Sequence, residues 1–379
     1  MADLATLTAL TAPTGPGDLL AATPGVTALA ARLARTADAE RRLSAETATA
    51  LVDAGFARHF VPRRWGGVQG SFTDWAEAVS AVGTGCASAA WCAALYANFG
   101  RLAAGLPETG QRALWGAGPD VRIAGAVAPA GRAEPAGDGW RLTGSWSYLS
   151  GVDHADWVLL CARPDDRPET VRLFAVPRHD CLVSDTWHSL GMRGTGSNTV
   201  RVDGVYVPGH LSFVRAQDAV GRSVSMLAFV AAALGAAASA LTCWEQRLAE
   251  ARRDGRTPAR ASVEATLARC DGEVEAARLL VRRAAGVADD PERTPTESLR
   301  GVRDLALAAD LLHTALTRLY RAAGTSAQSD PRIQRPWRDV TCATGHALLD
   351  FEPAALAWAD HRLTTREGTH RHDQHRRNH

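Results

Sequence analysis

The chain contains no lysine, and all 42 of its basic residues are arginines. Basic and acidic residues nearly cancel, since the formal net charge is +1 at pH 7. This balance lacks the basic excess that is typical of nucleic-acid-binding proteins, so we expect no nucleic-acid partner. The seven cysteines are scattered, with no CxxC pair and no metal-ligand spacing. They therefore predict reduced thiols in a cytoplasmic protein and no metal site.

Signal-peptide, nucleotide-binding and hydrolase motifs are missing as well. The first basic residue is Arg32, so the positively charged start of a signal peptide is lacking. No phosphate-binding P-loop and no nucleophile elbow are present. The run GTGCAS at 83–88 resembles the start of a dinucleotide fingerprint, but no predicted strand precedes it and Ser88 occupies the third glycine position. We therefore do not expect the chain itself to bind a nicotinamide cofactor.

Charge is also absent from residues 225–244, a stretch long enough to raise the question of a membrane span. Alanine, glycine and serine dominate this stretch, and they contribute little to membrane insertion. We predict a helix that is buried in a bundle or in a subunit interface, and no membrane partner.

The remaining pattern places helices first, strands second and helices again last. Residues 1–24 are predicted to form a loose arm. Helical spacing then predicts helices over 27–54, 72–82, 83–102 and 107–115. Short β-rich runs predict strands between 121 and 208. The last predicted helices cover 215–251, 262–286, 296–323, 337–349 and 353–363, and the His- and Arg-rich residues 366–379 predict a disordered tail.

Two runs in the predicted β segment could carry chemistry. The run LGMRGTGSNT at 190–199 combines three glycines, which permit sharp bends, with short hydroxyl and amide side chains. It is either a hairpin loop with a bulge or a wall of a site for a flat cofactor. In 140–151, strand alternation predicts that Trp146, Tyr148 and Ser150 share one face. The Ser150 hydroxyl then belongs either to the core or to the edge of an aromatic cofactor.

A third run, QRPWRD at 334–339, predicts a helix with Pro336 just inside its start. Continued helical spacing would place Asp339 and His346 on one face. We expect Asp339 to pair with an arginine. His346 is either a core histidine or a pocket base with a pKa near neutral.

The helix–β–helix order, with TGSWSYLSGVDHADW, LGMRGTGSNT and RPWRD in succession, resembles the acyl-CoA dehydrogenase fold from about residue 31 to about 363. More narrowly, it resembles the class D, two-component flavin-dependent monooxygenases. The resemblance implies an α+β, mostly α architecture with an N-terminal helical domain (1–118). A central β-barrel or sandwich domain (119–212) and a C-terminal four-helix bundle (213–365) would follow.

The resemblance also implies a flavin site that a neighbouring subunit completes. Tyr148 would lie against the isoalloxazine, and the Ser150 hydroxyl would lie near flavin N5 and C4a. His346 would lie over the flavin beside the substrate. The other residues that the resemblance places at the flavin are Ser147, Arg193, Ser197, Arg252 or Arg253 at a phosphate, and Gly324, Thr325 and Ser326 from another subunit.

The function implied is that of an oxygenase component, which receives reduced FMN or FAD from a separate NAD(P)H:flavin reductase. With O2 it would form a C4a-hydroperoxyflavin that hydroxylates a phenolic, polyketide-like substrate. His346 would orient or deprotonate that phenol, and Ser150 would donate a hydrogen bond at N5. A homotetramer is implied as well.

Three other functions remain open: an N-oxygenase of an amine or amino sugar, an acyl-CoA dehydrogenase, and a non-catalytic homologue. Against the dehydrogenase, GAVAPAGRAEP at 125–135 lacks the Thr-Glu-Pro-Gly-Ala-Gly-Ser run of that family. The dehydrogenase base is also missing, because Glu352 stands in an unrelated context. Against the monooxygenases, Asn98 and Phe99 fall where some members carry a second histidine.

Overall fold

Residues 19–215, 219–255 and 261–377 are described by the structure, which is a computed structural model. Within these residues the predicted order of helices, strands and helices is confirmed, and the fold is mostly helical. The N-terminal helices are α1 (Leu19–Glu40), α2 (Ala45–Asp53), α3 (Phe72–Gly85), α4 (Ala87–Ala103) and α5 (Glu108–Trp115). α4 is buried along nearly its whole length, so it forms the centre of this helical part.

The predicted helix over 27–54 is wrong, because two helices occupy this stretch. α1 already begins at Leu19, inside the predicted loose arm, since Leu19 and Val26 bury their side chains in the core. The rest of that arm, residues 1–18, lies outside the described residues. The first helix ends at Glu40, because Arg41 has a φ of 58°, which is incompatible with a right-handed helix. Ser44 then caps α2 by accepting a hydrogen bond from the Thr47 amide.

Eight strands follow in the described residues, and they form one mixed, connected sheet. Their bounds are β1 (Ile123–Ala126), β2 (Gly131–Ala136), β3 (Gly139–Leu149), β4 (Trp157–Pro164), β5 (Arg172–Pro177), β6 (Leu182–Ser184), β7 (Asn198–Pro208) and β8 (Ser212–Val214). The hydrogen-bonded order is β6-β7-β3-β2-β4-β5-β8, with β1 paired to β4. β4 is parallel to both β1 and β2, and the other pairs are antiparallel.

The C-terminal helices are α6 (Ala219–Arg253), α7 (Ala261–Asp289), α8 (Pro295–Ala323), α9 (Thr325–Ser329), α10 (Pro331–Thr344) and α11 (Phe351–Arg377). α6 carries the uncharged stretch, and it is long and apolar enough to cross a membrane by length and composition alone. Because 89% of its apolar window is buried inside the chain, the prediction of a buried core helix is confirmed. Asp304 of α8 is buried, and it binds the guanidinium groups of Arg283 and Arg303.

The predicted helix start at Pro336 is wrong. α10 begins five residues earlier at Pro331, where Asp330 caps the helix by accepting from the Arg332 amide. Pro336 therefore lies inside the helix. The helix also ends at Thr344, so His346 is not on its face but begins the following 3-10 turn. Further on, α11 extends to Arg377, so helical backbone replaces the predicted disordered tail up to that residue.

Candidate active site

The end of β3 departs from regular strand geometry at Tyr148. A register shift between Trp146 and Leu149 marks a bulge in the pairing with β7. Tyr148 has a φ of 69°, in the left-handed region that a non-glycine residue rarely adopts. Because the extra residue reverses the alternation, Trp146 is buried while Tyr148 is 73% exposed. The predicted common face of Trp146 and Tyr148 is therefore wrong, and the Tyr148 ring lies on the surface, where it meets the Trp187 ring edge-on at a centroid distance of 6.2 Å.

Ser150, which directly follows β3, is buried among hydrogen-bonding groups. Its hydroxyl oxygen lies 2.7 Å from the Ser197 hydroxyl and accepts a hydrogen bond of 3.0 Å from the indole N–H of Trp91. The Ser197 hydroxyl in turn lies 2.6 Å from that of Thr195. Strand β3 and the glycine-rich run are thus joined by side-chain hydroxyls, which we name the hydroxyl chain: Ser150, Ser197 and Thr195.

The hydroxyl chain ends on the backbone carbonyl of Met192. The Thr195 hydroxyl donates to this oxygen at 2.8 Å, and the Trp187 indole N–H donates to it at 3.0 Å. The Met192 amide donates at 2.6 Å to the carboxylate of Asp339 on α10. Met192 has a φ of 53°, so a left-handed residue directs the two sides of its backbone to these partners. The run 190–199 therefore contains a 3-10 turn (Arg193–Thr195) before the start of β7, and Met192 fastens it to α10.

Within the described residues Asp339 forms no ion pair with an arginine, so the predicted pair is wrong; its carboxylate instead accepts a hydrogen bond from the Met192 amide. Asp339 as a whole is only 4% exposed. Burial raises its pKa to about 6, although the Met192 hydrogen bond and the nearby Arg335 and Arg338 oppose this rise.

An aromatic stack leads from the hydroxyl chain to His346. The rings of Trp91 and Phe229 are parallel, with centroids 4.5 Å apart, and Phe229 contacts the His346 ring at 4.4 Å. Trp91 comes from α4 and Phe229 from α6, so two helices bridge Ser150 and His346. The sequence-predicted catalytic residues Ser150 and His346 therefore border one aromatic wall.

The tautomer of His346 follows from its backbone contact. The Leu348 amide donates to Nδ1 of His346 at 3.2 Å, so Nδ1 carries no proton. In the neutral ring the proton is then on Nε2. The His346 side chain is exposed, yet desolvation by the groups packed around the ring lowers its pKa and favours this neutral form.

Three other sequence-predicted site residues make contacts with residues outside the hydroxyl chain and the aromatic stack. Arg193 donates to the backbone oxygens of Asp38 and Ser189, so it clamps the glycine-rich run to α1. Arg252 forms an exposed ion pair with Glu264. Ser147 is exposed and accepts a weak hydrogen bond of 3.4 Å from Thr199.

The predicted turn at Gly324, Thr325 and Ser326 lies at the junction of α8 and α9, where Gly324 has a φ of 63°. Gly324 and Thr325 are exposed. Gly324 and Thr325 are therefore accessible from outside the chain.

Sequence reasoning missed Trp91 and Phe229 as members of the site, and it identified Thr195 only as one of the short polar residues of the glycine-rich run. Trp91 and Phe229 each lie in a stretch for which the sequence predicts only a helix. An apolar aromatic on a buried helix gives no signal of a neighbouring hydroxyl, since the contact joins residues 59 positions apart. For Thr195, the three-residue spacing to Met192 could have indicated a side-chain bond to the backbone.

Comparisons with known proteins agree with this fold. The profile of the family described as "Acyl-CoA dehydrogenase, C-terminal domain" matches residues 227–351. The chain is 29% identical over 350 residues to the flavin-dependent monooxygenase oxygenase subunit HsaA of Rhodococcus jostii strain RHA1, covering 84% of this chain and 91% of that relative. It is 36% identical over 189 residues to the FADH2-dependent resorcinol hydroxylase oxygenase component of Rhizobium sp. strain MTP-10005, covering 49% of this chain and 46% of that relative.

A solved structure gives the same result. The crystal structure of the HsaA monooxygenase from M. tuberculosis matches with a TM-score of 0.84 at 26% identity, over 92% of this chain and 98% of that one. The protein is thus built on the acyl-CoA dehydrogenase fold. Within that fold the predicted resemblance to the two-component flavin-dependent monooxygenases is confirmed, and the chain is an enzyme of the hydroxylase type.

Proposed function

We propose that the chain is the oxygenase component of a two-component system that hydroxylates a phenolic substrate with reduced flavin and O2. The observation that carries this proposal is the pairing of the buried Ser150 hydroxyl and the Nε2–H of His346 along one aromatic wall. A wall of stacked rings suits a flat cofactor and an aromatic substrate, because both have faces that pack against rings. The relatives that act on aromatic compounds support the substrate class.

The side chains of the site fit a reduced flavin. The exposed Tyr148 ring offers a face for the isoalloxazine. The backbone of Tyr148 is strained, with a left-handed φ, so the surrounding structure must hold this residue in place. Ser150 would then lie near N5 and C4a, with Ser147 and Ser197 as neighbours. Whether the flavin is FMN or FAD, it would come from a separate NAD(P)H:flavin reductase.

The remaining flavin contacts would come from groups outside this wall. We propose that Gly324, Thr325 and Ser326 touch the flavin of a neighbouring subunit, which the exposure of Gly324 and Thr325 permits. Arg252 could bind a phosphate only if its ion pair with Glu264 opens. Arg193 is better placed to hold the glycine-rich run than to touch the flavin, since its guanidinium donates to two backbone carbonyls.

Bound reduced flavin would supply the electrons that activate O2 and allow one oxygen atom to reach the aromatic ring. His346 then has a defined role, because its neutral ring carries the proton on Nε2. It can donate a hydrogen bond to a phenol or phenolate oxygen and so orient the ring, whereas a base would need a free lone pair. We therefore propose that His346 orients the substrate, and we discard the alternative that it removes the phenolic proton. The buried Ser150 and the stacked rings exclude water from this side of the site.

Three architectural features are proposed along with this function. The division into helical, β and helical domains at about residues 118 and 212 follows the element order. A barrel-like or sandwich-like closure of the strands is proposed, together with a four-helix bundle of α6, α7, α8 and α10. We also propose a homotetramer, because a neighbouring subunit would complete the flavin site.

The test is a reaction of the wild-type chain with chemically reduced FMN or FAD, 18O2 and a panel of simple phenols such as resorcinol. We expect hydroxylated product that carries one labelled oxygen atom. His346→Gln keeps a side-chain N–H donor that can orient the substrate, so it should retain much more activity than His346→Ala, in which we expect a loss of ~10²-fold. Both variants should bind reduced flavin as the wild type does.

Equal and full activity in both variants would remove His346 from the mechanism. Reduction of bound oxidised flavin by acyl-CoA, without oxygen incorporation into phenols, would show a dehydrogenase instead. Labelled product from amines alone would show an N-oxygenase, and a chain that binds no flavin in either redox state would be a non-catalytic homologue.

A further inference from the structure

The protons of the hydroxyl chain can be assigned from its far end. The Met192 carbonyl oxygen can only accept, so Thr195 donates its single hydroxyl proton there. The 2.6 Å contact between Thr195 and Ser197 then requires Ser197 as the donor. By the same reasoning, the 2.7 Å contact between Ser197 and Ser150 requires Ser150 as the donor. All three protons therefore point away from Ser150 towards Met192.

This direction leaves Ser150 without a proton for any ligand. A hydroxyl oxygen has one proton and two lone pairs. The proton goes to Ser197, and the Trp91 indole N–H fills one lone pair at 3.0 Å. A single lone pair remains. Ser150 can therefore accept a hydrogen bond from a bound molecule, and the expectation that it donates one at flavin N5 is reversed.

We propose that Thr195 is a positioning residue that makes Ser150 an acceptor and thereby makes the site selective for reduced over oxidised flavin. The inference rests on the proposed function, which places flavin N5 beside Ser150. N5 of reduced flavin carries a hydrogen and can donate to Ser150. N5 of oxidised flavin has no hydrogen and offers only a lone pair, so two lone pairs would face each other.

Oxidised flavin can be accommodated only at the cost of a buried hydrogen bond. Ser150 can turn its proton to N5 and lose its bond to Ser197. Alternatively, the whole chain can reverse, and Thr195 then loses its bond to Met192. In either case one bond among buried groups is given up, which corresponds to about a tenfold change in affinity.

The decisive variant is Thr195→Val, which keeps the side-chain shape and removes the hydroxyl. Ser197 then has no acceptor at Thr195 and donates to Ser150, so the Ser150 proton becomes available for N5. Thr195→Ser is the matched control, because it keeps the hydroxyl and removes only a methyl group. Ser197→Ala is a second variant, since it also frees the Ser150 proton by interrupting the chain.

The measurement is the dissociation constant of FMN, and separately of FAD, in the oxidised state and under anaerobic conditions in the reduced state. We expect the wild type to bind the reduced form more tightly. Thr195→Val and Ser197→Ala should each lower the ratio of the two dissociation constants about tenfold, equivalent to a shift of about 30 mV in the potential of the bound flavin. Thr195→Ser should keep the wild-type ratio.

Each result has one interpretation. The inference is overturned if the ratio of the two dissociation constants is unchanged in both Thr195→Val and Ser197→Ala. This includes an equal loss of affinity for oxidised and reduced flavin, because an equal loss shows only a structural role for the replaced residue. A wild type that prefers oxidised flavin also overturns it. If the wild type binds neither form, the proposed function itself fails, and this failure is recognised before any variant is made.

Discussion

Replacement of Asp339 by asparagine should change how the stability of the protein depends on pH. The Asp339 carboxyl group is buried, and it fastens α10 to the glycine-rich run through the Met192 amide. An asparagine oxygen can accept the same hydrogen bond and has nearly the same shape. The variant therefore removes the titration of this group while it preserves the contact.

The direction of the effect follows from the pKa of Asp339, which is raised from 3.8 to about 6 mainly by burial. Between these values the folded chain still holds the proton, whereas the unfolded chain has released it. The stabilisation that a neutral Asp339 contributes is therefore complete below the unfolded pKa and is lost as the pH rises through about 6. The difference between the two pKa values of Asp339 corresponds to about 3 kcal/mol of unfolding free energy, at ~1.36 kcal/mol per pH unit.

The assay is urea denaturation of the flavin-free wild type and of Asp339→Asn at intervals from pH 4.5 to 7.5. Subtraction of the two unfolding free energies at each pH cancels the other titrating groups. Over this pH range we expect the variant to gain about 2 kcal/mol of stability relative to the wild type as the pH rises, since part of the change occurs below pH 4.5, with the gain levelling off above pH 7. A difference that is independent of pH would refute the proposed raised pKa, and a difference that falls with pH would reverse its sign.

Two further predictions concern the C-terminal helices and the site. Asp304→Asn should lower the unfolding free energy by about 1.5–3 kcal/mol in urea, because it removes the charge of a buried carboxylate that accepts hydrogen bonds from the partly exposed Arg283 and Arg303. The exposed-pair control Glu275→Gln should change it by less than about 1 kcal/mol, and equal effects would contradict the reasoning. Tyr148→Gly should leave the unfolding free energy within about 1 kcal/mol of wild type, because relief of a left-handed backbone, about 1–2 kcal/mol, offsets the lost edge contact with the Trp187 ring. The same variant should weaken reduced-flavin binding while Tyr148→Phe does not, and unaltered binding in both would exclude the ring from the flavin site.

The order of helices and strands was predictable because it depends on local periodicity, which short windows of sequence contain. The buried α6 was predictable for the same reason, as its composition is uniform over many turns. The predicted start of α10 was wrong, although the preference of proline for the first helical turn does hold in this helix. Proline does begin this helix, but it is Pro331 behind the Asp330 cap, and Pro336 lies further inside.

The geometry of the site was predictable only in part. Ser150 and Ser197 could be expected near each other, and they share a hydrogen bond. The position of Tyr148 could not be predicted from alternation, because one inserted residue in a bulge moves every later side chain to the other face. His346 reached the aromatic wall for a different reason from the predicted one, since it follows the helix end and contacts Phe229 of α6. Contacts of this kind depend on the packing of distant segments.

Met192 shows how a binding site can be specified without the identity of a side chain. Its carbonyl orients the hydroxyl chain, and its amide fastens α10. Every amino acid has this carbonyl, and every one except proline has an amide N–H. The requirement at this position is the left-handed φ of 53°, which glycine and asparagine adopt at lower cost than methionine. Homologous sequences could therefore diverge at this residue and keep the same proton arrangement at the serine. A comparison that scores only matching letters would overlook such a shared feature.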